Sequence, residues 1–196
     1  MDKRVAPKIV EIMGHYLIHL QQTLPAFQNL PEHHRNEPLL LVGMELAGGM
    51  LVSQFAAFAS TLHEEKAKAS SPPPKSVYEA FDFLYVRKSR KTTGTCQQLE
   101  GEQKFTTRTP ESPVLYAIWI DDALSTGTSL LEGIEMLKKE YNIEVKASLY
   151  LVDRSKDRKD LALEKQKLAH PVFANVEVAA VYDLEEVDQK IGSLKK

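Results

Sequence analysis

Apolar residues recur at Ile9, Ile12, Met13, Tyr16, Leu17 and Leu20, a three-and-four spacing that predicts an amphipathic helix over residues 5–24. Pro25 and Pro31 interrupt that pattern, and a polar loop follows to residue 38. Residues 39–42 read LLLV, a short unbroken apolar run of the kind that forms a buried strand. The chain then turns through the glycines of 43–49 and continues as an apolar helix to about residue 62. HEEKAKASSPPPKS (63–76) is a charged tail running into a Pro/Ser break, read as a surface loop. A second strand lies within 78–89 and ends at Arg87 and Lys88. From 88 to 113 no core pattern is visible. Connections beyond about 12–15 residues are uncommon inside compact domains and are often lids. VLYAIWI (114–120) is a continuous apolar strand, as in parallel sheets covered on both faces. A helix over 128–140, a strand over 143–154, a helix over 155–169 and a strand over 176–184 complete the series.

Strands alternating with helices predict an α/β fold with a mostly parallel central sheet and helices on both faces. The 196 residues are expected to form one domain, with 1–38 as a small helical hood and 88–113 as a flexible loop. Composition adds little to this: 43% hydrophobic and 27% charged residues are ordinary for a soluble globular chain. The net charge of −2 gives no global attraction to nucleic acid or to anionic membranes, so any polyanion site must be local. With Cys96 as its one cysteine the chain has no intrachain disulfide and no cysteine-based metal cluster. Charges and histidines interrupt the N-terminal apolar positions, and no stretch reaches the length of a membrane span. The expected location is the cytoplasm.

Ligands of open α/β sheets sit at the carboxyl ends of the strands. Three unusual stretches fall there: GMELAGG (43–49), VRKSRK (86–91) and DDALSTGTS (121–129), with DR (153–154) as a possible fourth. In the third, Ser125, Thr126, Thr128 and Ser129 lead into a helix start whose free amides and positive end suit a phosphate. Gly127 lets the backbone approach an anion closely. Asp121 and Asp122 repel phosphate; they suit hydroxyls, or a divalent cation held between them and a polyphosphate. Acids beside an anion cup fit a sugar phosphate. Neither a G-x-x-x-x-G-K-[ST] loop nor a G-x-G-x-x-G fingerprint is present.

IDDALSTGTS resembles the phosphoribosyl diphosphate (PRPP) motif of type I phosphoribosyltransferases. YVRKSRKTTGTCQQLEGE resembles the catalytic loop of the orotate branch, and LVGMELAGGMLVS its glycine turn and helix. The resemblance spans roughly 39–154. It implies transfer of the phosphoribosyl group of PRPP to a nucleobase, most closely orotate, with Mg²⁺ as cofactor. Asp121 and Asp122 would then hold the ribose hydroxyls and the metal, the latter directly or indirectly through PRPP. Ser125, Thr126, Gly127, Thr128 and Ser129 would cradle the 5′-phosphate. Arg87, Lys88 and Lys91 would meet pyrophosphate, near Gly48 and Gly49, and Arg154 would face the base carboxylate. It further implies a homodimer whose loop reaches the neighbouring site. Three departures stand out: residues 18–38 carry no S-G-x-x-S-P-like base segment, Thr93 stands where His or Tyr is usual, and Ser125 where Thr is usual. The acceptor is therefore open between orotate, another nucleobase and an acceptor outside nucleotide biosynthesis, with a non-catalytic PRPP- or nucleotide-binding regulator as the alternative class.

Overall fold

The structure is a computed structural model that describes residues 13, 14, 17, 23, 25–29, 39–45, 47–55, 81–89, 98–154, 171 and 175–183. Most of the hood segment, the helix expected over 155–169, and Lys91 and Thr93 of the loop lie outside these residues.

Six strands form one sheet: β1 (Leu39–Met44), β2 (Phe81–Val86), β3 (Leu99–Gly101), β4 (Leu115–Leu124), β5 (Ile143–Asp153) and β6 (Glu177–Asp183), in the order β3-β2-β1-β4-β5-β6. All neighbours are parallel except β2 and β3. The central strands are the continuous apolar runs read from the sequence, because each is covered on both faces. One face buries Leu40, Val42, Ala117 and Trp119 under the helix Thr128–Tyr141, which contributes Leu130, Ile134, Leu137 and Tyr141 at helical spacing. The other face buries Leu41, Ile118, Ile120 and Leu149 under Val52 and Phe55, which belong to the helical residues 47–55, with Met13 and Leu17.

Two expectations are corrected. Residues 88–113 are not one featureless loop: 99–101 add an antiparallel edge strand, and Gln103–Thr106 makes a helical turn. Leu99 and Phe105 are both buried, and Lys104 bonds to Asp82 of β2 at 2.8 Å. Two apolar anchors in a three-residue strand and a single turn are too few to produce a periodic signal. The strand expected over 114–120 instead runs on to Leu124, so Asp121 and Asp122 lie within β4 rather than beyond its end.

The helix Thr128–Tyr141 is spaced from the sheet by Gly133, where an added methyl would overlap the fully buried Trp119 ring. Alanine at this position gains about 1 kcal/mol of helix propensity. Overpacking costs about 1–3 kcal/mol. Gly133→Ala is therefore expected to lower the thermal midpoint by a few degrees, and Trp119→Phe in that background to restore part of the loss. Melting curves of wild type and the two variants check this; a midpoint for Gly133→Ala at or above wild type contradicts it.

Candidate active site

Chain order places a crevice between β1 and β4. From β1 the chain crosses to β2 on one side, and from β4 it crosses to β5 on the other, so the segments leaving these adjacent strands part at their carboxyl ends. The glycine turn after β1 lies against the end of β4. A methyl on Gly48 would stand 2.6 Å from the Ile120 carbonyl oxygen and 3.3 Å from Asp121 Oδ1. Glu45 N donates to the Val86 oxygen at 2.8 Å, and Arg154 N to the Leu124 oxygen at 2.7 Å. These bonds tie the turns at the strand ends to neighbouring strands.

The two acids differ. Asp121 is half-buried and Asp122 exposed, and their carboxyls lie within reach of each other. Asp121 Oδ1 accepts from Asp122 N at 3.0 Å, and Asp122 Oδ1 from Ala123 N at 2.8 Å. Burial, reinforced by the neighbouring Asp122 charge, pushes the Asp121 carboxyl up to about 6, against the pull of its bond from the Asp122 amide and of the Lys88 ammonium. Tyr150 is its register partner on β5 and is almost fully buried. Burial first, and then the charge of Asp121, hold that phenol neutral.

Beyond β4 the chain bends through Ser125 and Thr126 to Gly127, whose φ of 72° is left-handed and favours glycine. Gly127 caps the helix start. Thr126 Oγ1 lies 2.9 Å from Thr128 Oγ1 and accepts from Thr128 N at 3.3 Å. The first backbone bond of the helix runs from Leu131 N to the Gly127 oxygen at 2.9 Å. The amides of Gly127, Ser129 and Leu130, which precede it, meet no protein acceptor among the described residues. The first turn carries no acidic residue, so the positive end of a 14-residue helix is unscreened. Amides, hydroxyls and dipole together favour a phosphate.

On the β2 side, Arg87 Nε donates to Glu100 Oε1 at 2.7 Å, and that bond holds the guanidinium more firmly protonated than usual. Both residues line a cavity of about 240 Å³ with Glu45, Gly49, Met50, Ser53, Tyr85 and Val86. Lys88 is exposed near enough for its charge to act on Asp121. Arg154 is exposed just past β5. The structure thus brings Gly48, Asp121 and Lys88 together at the crevice, gathers Ser125 to Ser129 at the end of β4, and sets Arg87 and Gly49 in the adjoining cavity. Sequence reasoning assigned no role to Gln98, Glu100 or Tyr150. Tyr150 reads as core in an apolar strand, and Glu100 sits in a segment without a core pattern, inside the loop motif but with no role of its own.

The described residues contain no group of three or more His, Cys, Asp or Glu able to hold a metal. Asp121 and Asp122 are two acids with no third ligand among the described residues, too few to make a cage for Mg²⁺; the ion fits this site as a partner of a polyphosphate ligand. No helix among the described residues is long and apolar enough to cross a membrane.

No protein-family model matches the chain. Over 106 residues it is 29% identical to the orotate phosphoribosyltransferase of Bifidobacterium longum (strain DJO10A), a match covering 52% of this chain and 43% of that protein. The match thus spans less than half the length of that relative. Among solved structures, the orotate phosphoribosyltransferase of Francisella tularensis aligns with a TM-score of 0.55 at 17% identity, over 96% of this chain and 71% of that one. The adenine phosphoribosyltransferase of Trypanosoma brucei, solved with AMP, pyrophosphate and ribose-5-phosphate, aligns with a TM-score of 0.53 at 13% identity, over 90% and 65%. The chain has the type I phosphoribosyltransferase fold.

Proposed function

We propose that this chain is a phosphoribosyltransferase that moves the 5-phosphoribosyl group of PRPP to a nucleobase and releases pyrophosphate, with orotate as the base. One juxtaposition carries the reading: a half-buried carboxylate at the β1/β4 crevice stands beside a helix start rich in free amides and hydroxyls. Such a pair fits the two ends of a phosphorylated pentose. The partial match to an orotate phosphoribosyltransferase supports the choice of base.

In this reading the 5′-phosphate lies on the amides of Gly127, Ser129 and Leu130 and on the hydroxyls of Ser125, Thr126, Thr128 and Ser129. The ribose hydroxyls donate to Asp121 and Asp122. Pyrophosphate lies toward Gly48, Gly49, Lys88 and Arg87, with Lys91 supplied by the 88–113 segment. Arg154 pairs with the carboxylate of the base. A base nitrogen forms the new bond to the anomeric carbon as the bond to the pyrophosphate oxygen breaks, and the electron pair leaves with pyrophosphate. Positive charge develops on the sugar ring and negative charge on the leaving group. Cations fixed in advance beside the leaving group stabilise that separation, at roughly 4 kcal/mol for a pair 4 Å apart at an effective dielectric of about 20. Mg²⁺, when bound, would be held chiefly by the phosphates of PRPP beside Asp121 and Asp122, and would offset the donor's charge. The protein acts in the cytoplasm as a homodimer in which the 88–113 segment of one protomer reaches the other's site.

A panel of nucleobases, assayed with PRPP and Mg²⁺ by pyrophosphate release, tests the proposal. Turnover with orotate is expected. Turnover with a different base alone would move the chain to a sibling activity. Tight PRPP binding without release across the whole panel would make it a regulatory binder instead.

A further inference from the structure

The chain leaves β2 at Arg87 and returns directly beside it. Arg87 N donates to the Gln98 oxygen at 2.8 Å, Gln98 Nε2 donates to the Arg87 oxygen at 2.9 Å, and Arg87 Nε donates to Glu100 Oε1 at 2.7 Å. Three bonds therefore fasten the two ends of the 88–97 segment to each other. The pairing of Val86 with Leu99 extends the clamp into the sheet.

The bond to Glu100 uses one of the five guanidinium N–H donors. It enters from the Nε edge and fixes the orientation of the planar group. The two terminal amino groups meet no partner among the described residues. Those groups form the fork that takes a phosphate in two parallel bonds. An unheld arginine would have to be ordered at each binding event, whereas one gripped at Nε is oriented beforehand. The grip also keeps the carboxylate at the edge of the guanidinium remote from the fork.

We propose that Glu100 is a positioning residue: by holding Arg87 Nε it presents the terminal amino groups of Arg87 to the pyrophosphate end of the donor. The inference rests on the function proposed above. Glu45 and Glu100 both line the cavity with Arg87, so uncomplexed pyrophosphate meets two carboxylates for one guanidinium. The suitable probe is therefore magnesium pyrophosphate.

Glu100→Ala, Glu100→Gln, Arg87→Ala and the double variant Arg87→Ala/Glu100→Ala are compared with wild type. Calorimetric affinity for magnesium pyrophosphate, KM for PRPP and thermal midpoint are measured for each. Outer partners that orient metal ligands are worth about 10–100-fold; on the low end of that scale, Glu100→Ala is expected to weaken pyrophosphate binding and raise KM by about tenfold. Glu100→Gln, whose amide oxygen still accepts from Nε, recovers most of that loss. In the Arg87→Ala background, Glu100→Ala adds nothing. An equal loss from Glu100→Ala with and without Arg87 would show that the residue merely staples β3, and overturn the proposal. Unchanged or tighter binding in Glu100→Ala would overturn it as well. A wild-type chain that binds neither PRPP nor magnesium pyrophosphate refutes the proposed function itself, and the positioning role falls with it.

Discussion

Asp121→Asn is expected to weaken PRPP binding by about 10–100-fold, as the loss of hydrogen bonds to a charged acceptor does, while raising the thermal midpoint of the ligand-free protein near neutral pH. Both effects come from one carboxyl. Asp121 is half-buried, and burial lifts it to about 6. Its folded-state value therefore lies above its unfolded one, and between the two the folded chain binds the proton more tightly. The group's contribution to stability is greatest below about 4 and falls as pH rises to about 6, after which it stays at its least favourable level. Near pH 7.5 the ionised, partly desolvated carboxylate opposes folding by about 1–2 kcal/mol once its remaining exposure is allowed for. Asparagine removes that charge and still accepts from Asp122 N through Oδ1. The midpoint should rise by a few degrees at pH 7.5, and the difference from wild type should close toward pH 4. Binding should run the other way. Wild-type affinity for PRPP falls as pH drops through about 6, and the difference between the wild-type and Asp121→Asn profiles isolates this carboxyl from the donor's own phosphates. Asp122 is exposed and strains Asp121 only through its charge, so Asp122→Asn weakens binding and raises the midpoint by less than Asp121→Asn does. Melting curves from pH 4 to 8 and titration calorimetry with PRPP decide the matter; an Asp121→Asn protein no more stable than wild type at pH 7.5 would show that burial does not strain this acid.

That cost to stability is legible only in part from sequence. The strands announced themselves because 39–42 and 114–120 are unbroken apolar runs, and a strand buried on both faces leaves no other composition available. The helix after Gly127 was legible for the same kind of reason: Leu130, Ile134, Leu137 and Tyr141 repeat at helical spacing and all of them are buried. Strand-end acids beside a hydroxyl-rich turn were also legible, since few other uses suit that mixture. Their inequality was not. That Asp121 is half-buried while Asp122 is exposed depends on β4 continuing to Leu124, which two carboxylates in succession argue against locally and which pairing with β5 enforces. The clamp at Arg87 was equally hidden. It joins residues eleven and thirteen positions apart through a three-residue strand whose fit to β2 is decided by Leu99 and Phe105, not by any repeat. Tyr150 reached the vicinity of Asp121 by register alone.

The glycine turn supplies the second large effect. Gly43→Ala is expected to destabilise the protein by about 3 kcal/mol or more, at or beyond the upper end of the usual overpacking range, whereas Gly49→Ala in the same turn should stay within about 1 kcal/mol of wild type. A methyl on Gly43 would overlap the Gly48 carbonyl group and approach Val52 Cγ2 at 2.8 Å. Backbone atoms form the obstruction, and they are fixed: Gly43 pairs with both Tyr85 on β2 and Ile120 on β4, while Gly48 lies against the Ile120 carbonyl. Relief requires the turn to lift away from the crevice, which would also draw Gly48 off Asp121 and open the site. At Gly49 the methyl meets a ring edge instead, Tyr85 Cδ1 at 2.9 Å. That ring can tilt, although the 2.6 Å bond between its hydroxyl and Ser53 Oγ resists the motion, and alanine returns about 1 kcal/mol of helix propensity to residues 47–55. For a chain of this size the Gly43 variant should melt roughly 6–12 °C below wild type and bind PRPP more weakly even at temperatures where it remains folded. Gly49→Ala should keep a midpoint close to wild type. Equal midpoints for the two variants would mean that the turn does not press on β4, and would remove the close approach on which the geometry of the crevice depends.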